Sequence, residues 1–198
     1  GTSYLYLGDR WAGAWGGPVN DSAYVWLPIA FSGPTTMSMS WANTIDLDVP
    51  AGRVTGAVNT FTFVNRASGL VLGVSGSPSE NGADVVQQSR DAASGDVWRF
   101  NYDGEGFFLL TNEDGGKVLD VPDESTQPGV PLDLWDGNGG DHQAWRLIDL
   151  GAGEYRIRNK KSGHYVGVTG ASTAAGAVIE QQALSAGDEQ IWEIVVAE

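Results

Sequence analysis

From residue 60 onward, apolar and polar positions alternate over short runs, and each run ends at a glycine or a polar turn. TFTFVN (Thr60 to Asn65), FFLLTN (Phe107 to Asn112) and YRIRN (Tyr155 to Asn159) open three successive segments. In each, a turn closed by Gly69, Gly116 or Gly163 leads to a second run, LVLGV, KVLDV or HYVGV. A third run follows a loop of small residues: DVVQQ, PLDLW or AVIEQ. The last run is centred on Trp98, Trp145 or Trp192. Period-two alternation over such lengths predicts strands, about four per segment, and no stretch carries a useful helical period.

The segments are copies. Trp98, Trp145 and Trp192 recur every 47 residues, and so do Asn65, Asn112 and Asn159. Gly69, Gly116 and Gly163 keep the same step, as do Leu72, Leu119 and Val166. A fixed, ungapped period of this size marks a repeat architecture. Three copies of four short strands must hide their edges, and closure into a barrel does so. The sequence therefore predicts an all-β domain over residues 56–198, built from three 47-residue repeats.

The first quarter reads differently. Ser3 to Leu7, Ala23 to Phe31 and Thr35 to Trp41 are rich in β formers and separated by turn signals such as GGPVND and SGP. They predict a small antiparallel sheet over residues 1–55, joined to the repeats through DLDVPAG (Asp46 to Gly52). Trp11, Trp15, Trp26 and Trp41 all fall here. A single small sheet cannot bury so many rings, so it is not expected to fold alone.

Composition narrows the function. The net charge of −14 repels phosphate backbones and anionic membranes, which argues against nucleic-acid or membrane partners. No apolar run is long enough to span a bilayer. The absence of cysteine removes disulfides, thiol catalysis and thiolate metal sites. The loop DGNGGD (Asp136 to Asp141) hints at calcium, but Leu147 stands where the closing glutamate of an EF-hand loop is needed. His142 and His164 do not make a metal cluster by themselves, so no metal and no cofactor is expected. There is no G-x-S-x-G elbow and no marked carboxylate pair.

The threefold repeat with its Q-x-W ending resembles the β-trefoil of ricin-type lectins and family 13 carbohydrate-binding modules, over essentially all of residues 60–195. That resemblance implies core roles for the three repeated tryptophans. It also implies a sugar site made of an Asp after the second run, a polar residue two before an aromatic, that aromatic, and an Asn-Gln pair before the core Trp. Carried onto the middle copy, these are Asp120, Asp133, Trp135, His142 and Gln143, with Asp133 in place of the usual Gln and His142 in place of Asn. A sugar offers hydroxyls and one apolar face, so it needs paired hydrogen-bonding groups and a flat ring. The first copy has Gly73, Val86, Gln88 and Asp96 at these positions and is expected to be structural. The third, with Gly167, Glu180, Gln182 and Gln190, offers weaker candidates in Glu180, Gln182 and Gln190.

GDRW (Gly8 to Trp11), YVWLPIAF (Tyr24 to Phe31) and the strand ending in Trp41 followed by IDLD resemble the closing blade of the family 43 glycoside hydrolase propeller, in its galactan-cleaving branch. The family's catalytic carboxylates lie on earlier blades, so no catalytic role passes to Asp9, and Asp9-Arg10 is expected to be structural. The chain begins GTSYLYL with no initiator Met, as a piece cut from a longer secreted protein would. The expected function is a non-catalytic, extracellular module that binds galactose-type sugars or polysaccharide beside the catalytic domain of its parent chain. The alternatives are a hydrolase active in its own right and a structural or protein-binding trefoil with decayed sugar sites.

Overall fold

In a computed structural model the chain divides into two compact units, Gly1–Asn59 and Thr60–Glu198. The structure describes five strands between residues 4 and 57, and then residues 60–90, 95–102 and 106–197. In the first unit Tyr4–Arg10, Ala23–Gly33 and Thr36–Met39 form a three-stranded antiparallel sheet. Thr44–Asp48 and Arg53–Ala57 form a separate antiparallel hairpin. The stretch from Asp46 thus starts inside a paired strand. The side chains of this unit, including the four tryptophans and the Asp9-Arg10 pair, lie outside the described residues.

The second unit is all-β apart from single 3₁₀ turns at Pro122–Glu124, Asp141–Gln143, Thr169–Ala171 and Asp188–Gln190 among the described residues. Six strands close on themselves. Phe61–Asn65 pairs with Trp98–Tyr102, which pairs with Phe108–Asn112 and then Trp145–Gly151. Glu154–Asn159 and Trp192–Val196 complete the ring back to Phe61–Asn65. A ring has no free edge, which answers the exposure that short strands would otherwise suffer. The hairpins Val71–Val74/Ala83–Gln88, Val118–Asp120/Asp133–Trp135 and Tyr165–Val168/Ile179–Gln182 cap one end. They join one another through the pairs Asp133–Asp84 and Val130–Gln181 and the bridge Val86–Val178. This is a β-trefoil.

The repeated residues explain why the copies close. Trp98, Trp145 and Trp192 are wholly buried, and each indole N–H donates to a backbone carbonyl, Leu72 O at 2.9 Å, Leu119 O at 3.0 Å and Val166 O at 3.1 Å. Each ring thereby fills the core and ties a barrel strand to its own hairpin. Phe63, Leu72, Leu110, Leu119, Ile157 and Val166 pack in the same buried cluster. Each repeated asparagine reaches into the preceding copy. Asn65 donates to Glu189 O, Asn112 to Gly95 O and Asn159 to His142 O, at 3.0, 2.8 and 2.8 Å. Their Oδ1 atoms cap the turns by accepting from Ala67, Asp114 and Lys161 N–H. Gly69, Gly116 and Gly163 end those turns at φ of 70°, 68° and 74°, where a side chain is strained.

Candidate functional site

The middle hairpin sets three of the residues singled out in the sequence. Asp120 ends the strand Val118–Asp120, directly opposite Asp133, and Trp135 lies opposite Val118. Alternation along Asp133–Trp135 turns Leu134 into the core and leaves Asp133 and Trp135 on the other face. Trp135 is 43% exposed, whereas Asp120 is only 4% exposed. The 3₁₀ turn Asp141–Gln143 brings in His142, whose Nε2 lies 3.3 Å from Asp120 Oδ1. A cleft of about 220 Å³ is lined by Asp120, Pro122, Asp123, Glu124, Asp133, Trp135, Asn138 and His142.

Gln143 stands behind this cleft. It is fully buried, and its amide donates to Asp120 Oδ1 at 2.7 Å and to Asp136 O at 3.0 Å. Its Oε1 accepts from Asn138 N at 2.8 Å. Gln143 therefore holds the Asp120 carboxylate on one side and the loop bearing Asn138 on the other. Asn138 was not singled out from the sequence. Its place depends on the loop Asp136 to Asp141 folding back, where Asn138 Oδ1 caps Gly140 N at 2.8 Å and Nδ2 sits 3.4 Å from His142 Nε2.

The cleft wall at Pro122–Glu124 also escaped the sequence pattern. Asp123 and Glu124 both take φ of 54°, a left-handed conformation that costs of order 1–3 kcal/mol for each residue without glycine's freedom. Lys161 pairs with Glu124 and holds its carboxyl below the usual range, first through their hydrogen bond. The opposite side is fixed by Asn81 of the first copy and Lys117 of the middle one. Asn81 and Asp136 exchange two hydrogen bonds, 2.9 and 3.0 Å, and Lys117 lies 2.6 Å from Asp136. Those two partners, Lys117 first, lower the Asp136 carboxyl.

Burial raises the Asp133 carboxyl from 3.8 to about 7, with the neighbouring Asp120 adding the next largest push and Asp84 a further one. The strand register supplies the two neighbouring charges. Asp84, Asp133 and Asp120 lie side by side across three strands, and like charges directly opposite repel. Around neutral pH Asp133 thus exchanges between a carboxylate and a neutral acid that can donate. Among the described residues, no group of three His, Cys, Asp or Glu side chains is placed to hold a metal ion.

The other copies show what opens this site. In the third, Gln190 repeats every contact of Gln143 but one. It donates to Ala183 O at 2.8 Å and accepts from Ser185 N at 3.0 Å, yet its other partner is Gln182 Oε1 at 2.9 Å. The Gln182 amide folds inward and also reaches Val168 O and Glu180 Oε1. It lies so close over Gly167 that a Cβ there would meet Gln182 Oε1 at 2.3 Å. Gln88 covers Gly73 in the same way, with Nε2 at 2.3 Å. Glu180 is tied to Thr169 Oγ1 at 2.9 Å. In two copies a glutamine therefore fills the space that Asp120 and an outward-turned Trp135 leave open in the middle one.

Comparison with known proteins decides the family. The model of the ricin-type beta-trefoil lectin domain-like family matches residues 48–135 and 141–198. The chain belongs to the ricin-type β-trefoil lectin domain-like family. Among solved structures, this lectin-type trefoil is similar to ThreeFoil, a designed threefold-symmetric protein, with 37% identity and a TM-score of 0.68 over 70% of this chain and 99% of that one. It is also similar to an exo-β-1,3-galactanase from Clostridium thermocellum, with 38% identity and a TM-score of 0.66. That match covers 98% of this chain but only 43% of the galactanase, so the chain spans less than half its length. A ricin B-like lectin of Macrolepiota procera, solved with lactose, shares the fold at 17% identity and a TM-score of 0.61, over 72% of this chain and 99% of that one. A comparison with curated proteins finds no match.

Proposed function

We propose that this trefoil is a non-catalytic carbohydrate-binding module for galactose-containing polysaccharide, and that its principal site is the cleft of the middle copy. The observation that carries this reading is the contrast between copies. Asp120 and Trp135 frame an open cleft where Gln88 and Gln182 close the equivalent space. Pockets for drug-sized ligands measure about 300–1,000 Å³, and a cleft of about 220 Å³ suits a single sugar ring.

The chemistry matches a sugar's two kinds of surface. Asp120, held by Gln143 and His142, accepts from two vicinal hydroxyls without having to reorganise. Asn138 and Asp133, on its neutral acid form, supply donors. Trp135 offers its exposed face for stacking, worth about 0.5–1.5 kcal/mol beyond area burial if an aromatic-pair figure transfers to a sugar. Each hydroxyl exchanges a good water contact for a protein one, so the net gain per bond is small. The expected dissociation constant is on the order of 0.1–10 mM, equivalent to about 3–5 kcal/mol.

Such weakness is tolerable in a module tethered to an enzyme, because tethering raises the local concentration of a polymeric substrate. The identity with the galactanase over nearly the whole chain supports a parent of that kind, a secreted family 43 glycoside hydrolase, and supports reading residues 1–55 as its closing blade. With the catalytic carboxylates on earlier blades, this chain by itself hydrolyses nothing. Incubation with aryl galactosides and β-1,3-galactan tests that half of the proposal, since turnover that survives repurification would overturn it. A glycan array tests the other half: signal on galactose-terminated glycans is expected, and silence on them would overturn it.

A further inference from the structure

Resting on the sugar-site reading above, we infer that Gln181, a residue of the third copy that does not line the cleft, is a positioning residue for the sugar site of the middle copy. Gln181 is fully buried. Its amide donates to Ser125 O at 3.0 Å and Gln127 O at 2.7 Å, and its backbone carbonyl accepts from Gly129 N at 2.7 Å. Ser162 Oγ donates to its Oε1 at 2.8 Å and so fixes which way the amide points. These bonds grip the loop immediately after Pro122–Glu124, the wall of the cleft.

That wall needs gripping. Asp123 and Glu124 both sit at φ of 54°, where side chains other than glycine relax unless the surroundings hold them. The third copy adds two further ties, Lys161 to Glu124 and the His164 ring at 3.2 Å from Thr126 O. Released from Gln181, the segment regains backbone freedom that a sugar must then restrict on binding, and affinity falls by that amount.

The pseudo-threefold arrangement supplies a control. Gln87 stands one copy away and makes the same pair of bonds, to Ser172 O at 2.9 Å and Ala174 O at 2.8 Å, with Ser68 orienting its amide at 2.8 Å. The loop that it grips belongs to the third copy, where Gln182 fills the space of the cleft. Loss of Gln87 should therefore cost comparable stability and leave the sugar site intact. The third position of the set keeps only the backbone bond, Gly82 N to Leu134 O at 2.8 Å, and has no side-chain clamp: Leu134 replaces the glutamine and Gly115 the serine, and Pro78 O lies where a Cβ at Gly115 would have to go.

The test is titration of the full chain and its variants Gln181→Met and Gln87→Met with galactose and lactose, by NMR, well below the melting temperature of each. Methionine keeps the length and packing of glutamine but cannot donate. The expected result is similar melting temperatures for the two variants, with affinity about tenfold weaker in Gln181→Met and within about twofold of the parent in Gln87→Met. Ser162→Ala against Ser68→Ala is a milder pair, to be used if either glutamine variant fails to fold, and the same asymmetry is expected. Equal affinities in the two members of a pair, with the parent binding normally, would overturn the inference alone. A parent chain that binds neither sugar would overturn the sugar-site reading and this inference with it.

Discussion

Gln143 donates to Asp120 Oδ1 at 2.7 Å, and the residue one copy later, Gln190, makes the corresponding bond to Gln182 Oε1 at 2.9 Å. The same buried amide thus has two possible acceptors, a carboxylate rising from the strand or a glutamine folded in from its neighbour. Which one is present decides whether the copy is open or closed. The difference is made by two positions, Asp120 with Trp135 against Gly167 with Gln182.

It follows that the two states should be exchangeable. Replacing Asp120→Gly and Trp135→Gln together should close the middle cleft and abolish sugar binding with little loss of stability. The converse pair, Gly167→Asp and Gln182→Trp, removes the side chain that a new Cβ would strike and should open a second site. The stoichiometry of a galactose titration checks both: none bound in the first double variant, two in the second.

Single truncations in the site should separate binding from folding. Trp135→Ala removes an exposed ring, and surface changes of this kind usually alter stability by no more than about 0.5 kcal/mol. Asp120→Ala leaves the Gln143 amide short of a buried acceptor and should cost about 1–3 kcal/mol. Both should lose measurable sugar binding. Gln88→Ala and Gln182→Ala should change it little, which parallel titrations and thermal melts would check.

Asp133 makes a prediction about pH. Its carboxyl is raised from 3.8 to about 7 by burial, then by Asp120 and Asp84. Between those values the folded chain keeps a proton that the unfolded chain has released, so this group's contribution to stability falls as pH rises from about 4 to about 7 and is level above. Glu124 and Asp136, both lowered by lysine partners, work in the opposite sense, their contributions being lost as pH falls through their folded values. The difference between the parent and Asp133→Asn isolates the first effect. In denaturant melts at intervals from pH 4 to 8, the variant should gain relative to the parent as pH rises. A constant difference across the range would contradict the coupling.

The three buried tryptophans should behave as one class. Each fills the core completely and anchors a hairpin through its indole N–H. Trp98→Ala, Trp145→Ala and Trp192→Ala should each cost about 3–5 kcal/mol, enough to unfold a domain of ordinary stability. A marked drop in thermal midpoint for all three would bear this out, and a mild effect at any one would not.

Much of this was legible in the sequence because it is repeated. Trp145 and Asn159 do the same work in every copy, so their period announces their roles, and the middle copy's Asp120 and Trp135 stand out against it. Asp133, His142 and Gln143 followed from the resemblance to the ricin-type pattern, and the structure brings the first two to the cleft while setting Gln143 behind it. The remainder has no local signature. Asn138 reaches the cleft only because its loop folds back on Gln143. Asp123 and Glu124 line the cleft beside a loop held by residues of another copy, Gln181, Lys161 and His164, which are distant in sequence. Nor does spacing reveal that Gln182 fills the cleft of its own copy, since that depends on which way the side chain turns over Gly167.

The most direct measurement is a galactose titration of the full chain followed by tryptophan and amide signals, run beside Trp135→Ala. Saturable binding in the range of about 0.1–10 mM is predicted. Shifts should gather at Asp120, Glu124, Trp135 and Asn138, and be lost in the variant. Binding that survives Trp135→Ala, or shifts that gather instead around Gln88 or Gln182, would place the sugar elsewhere and contradict the assignment.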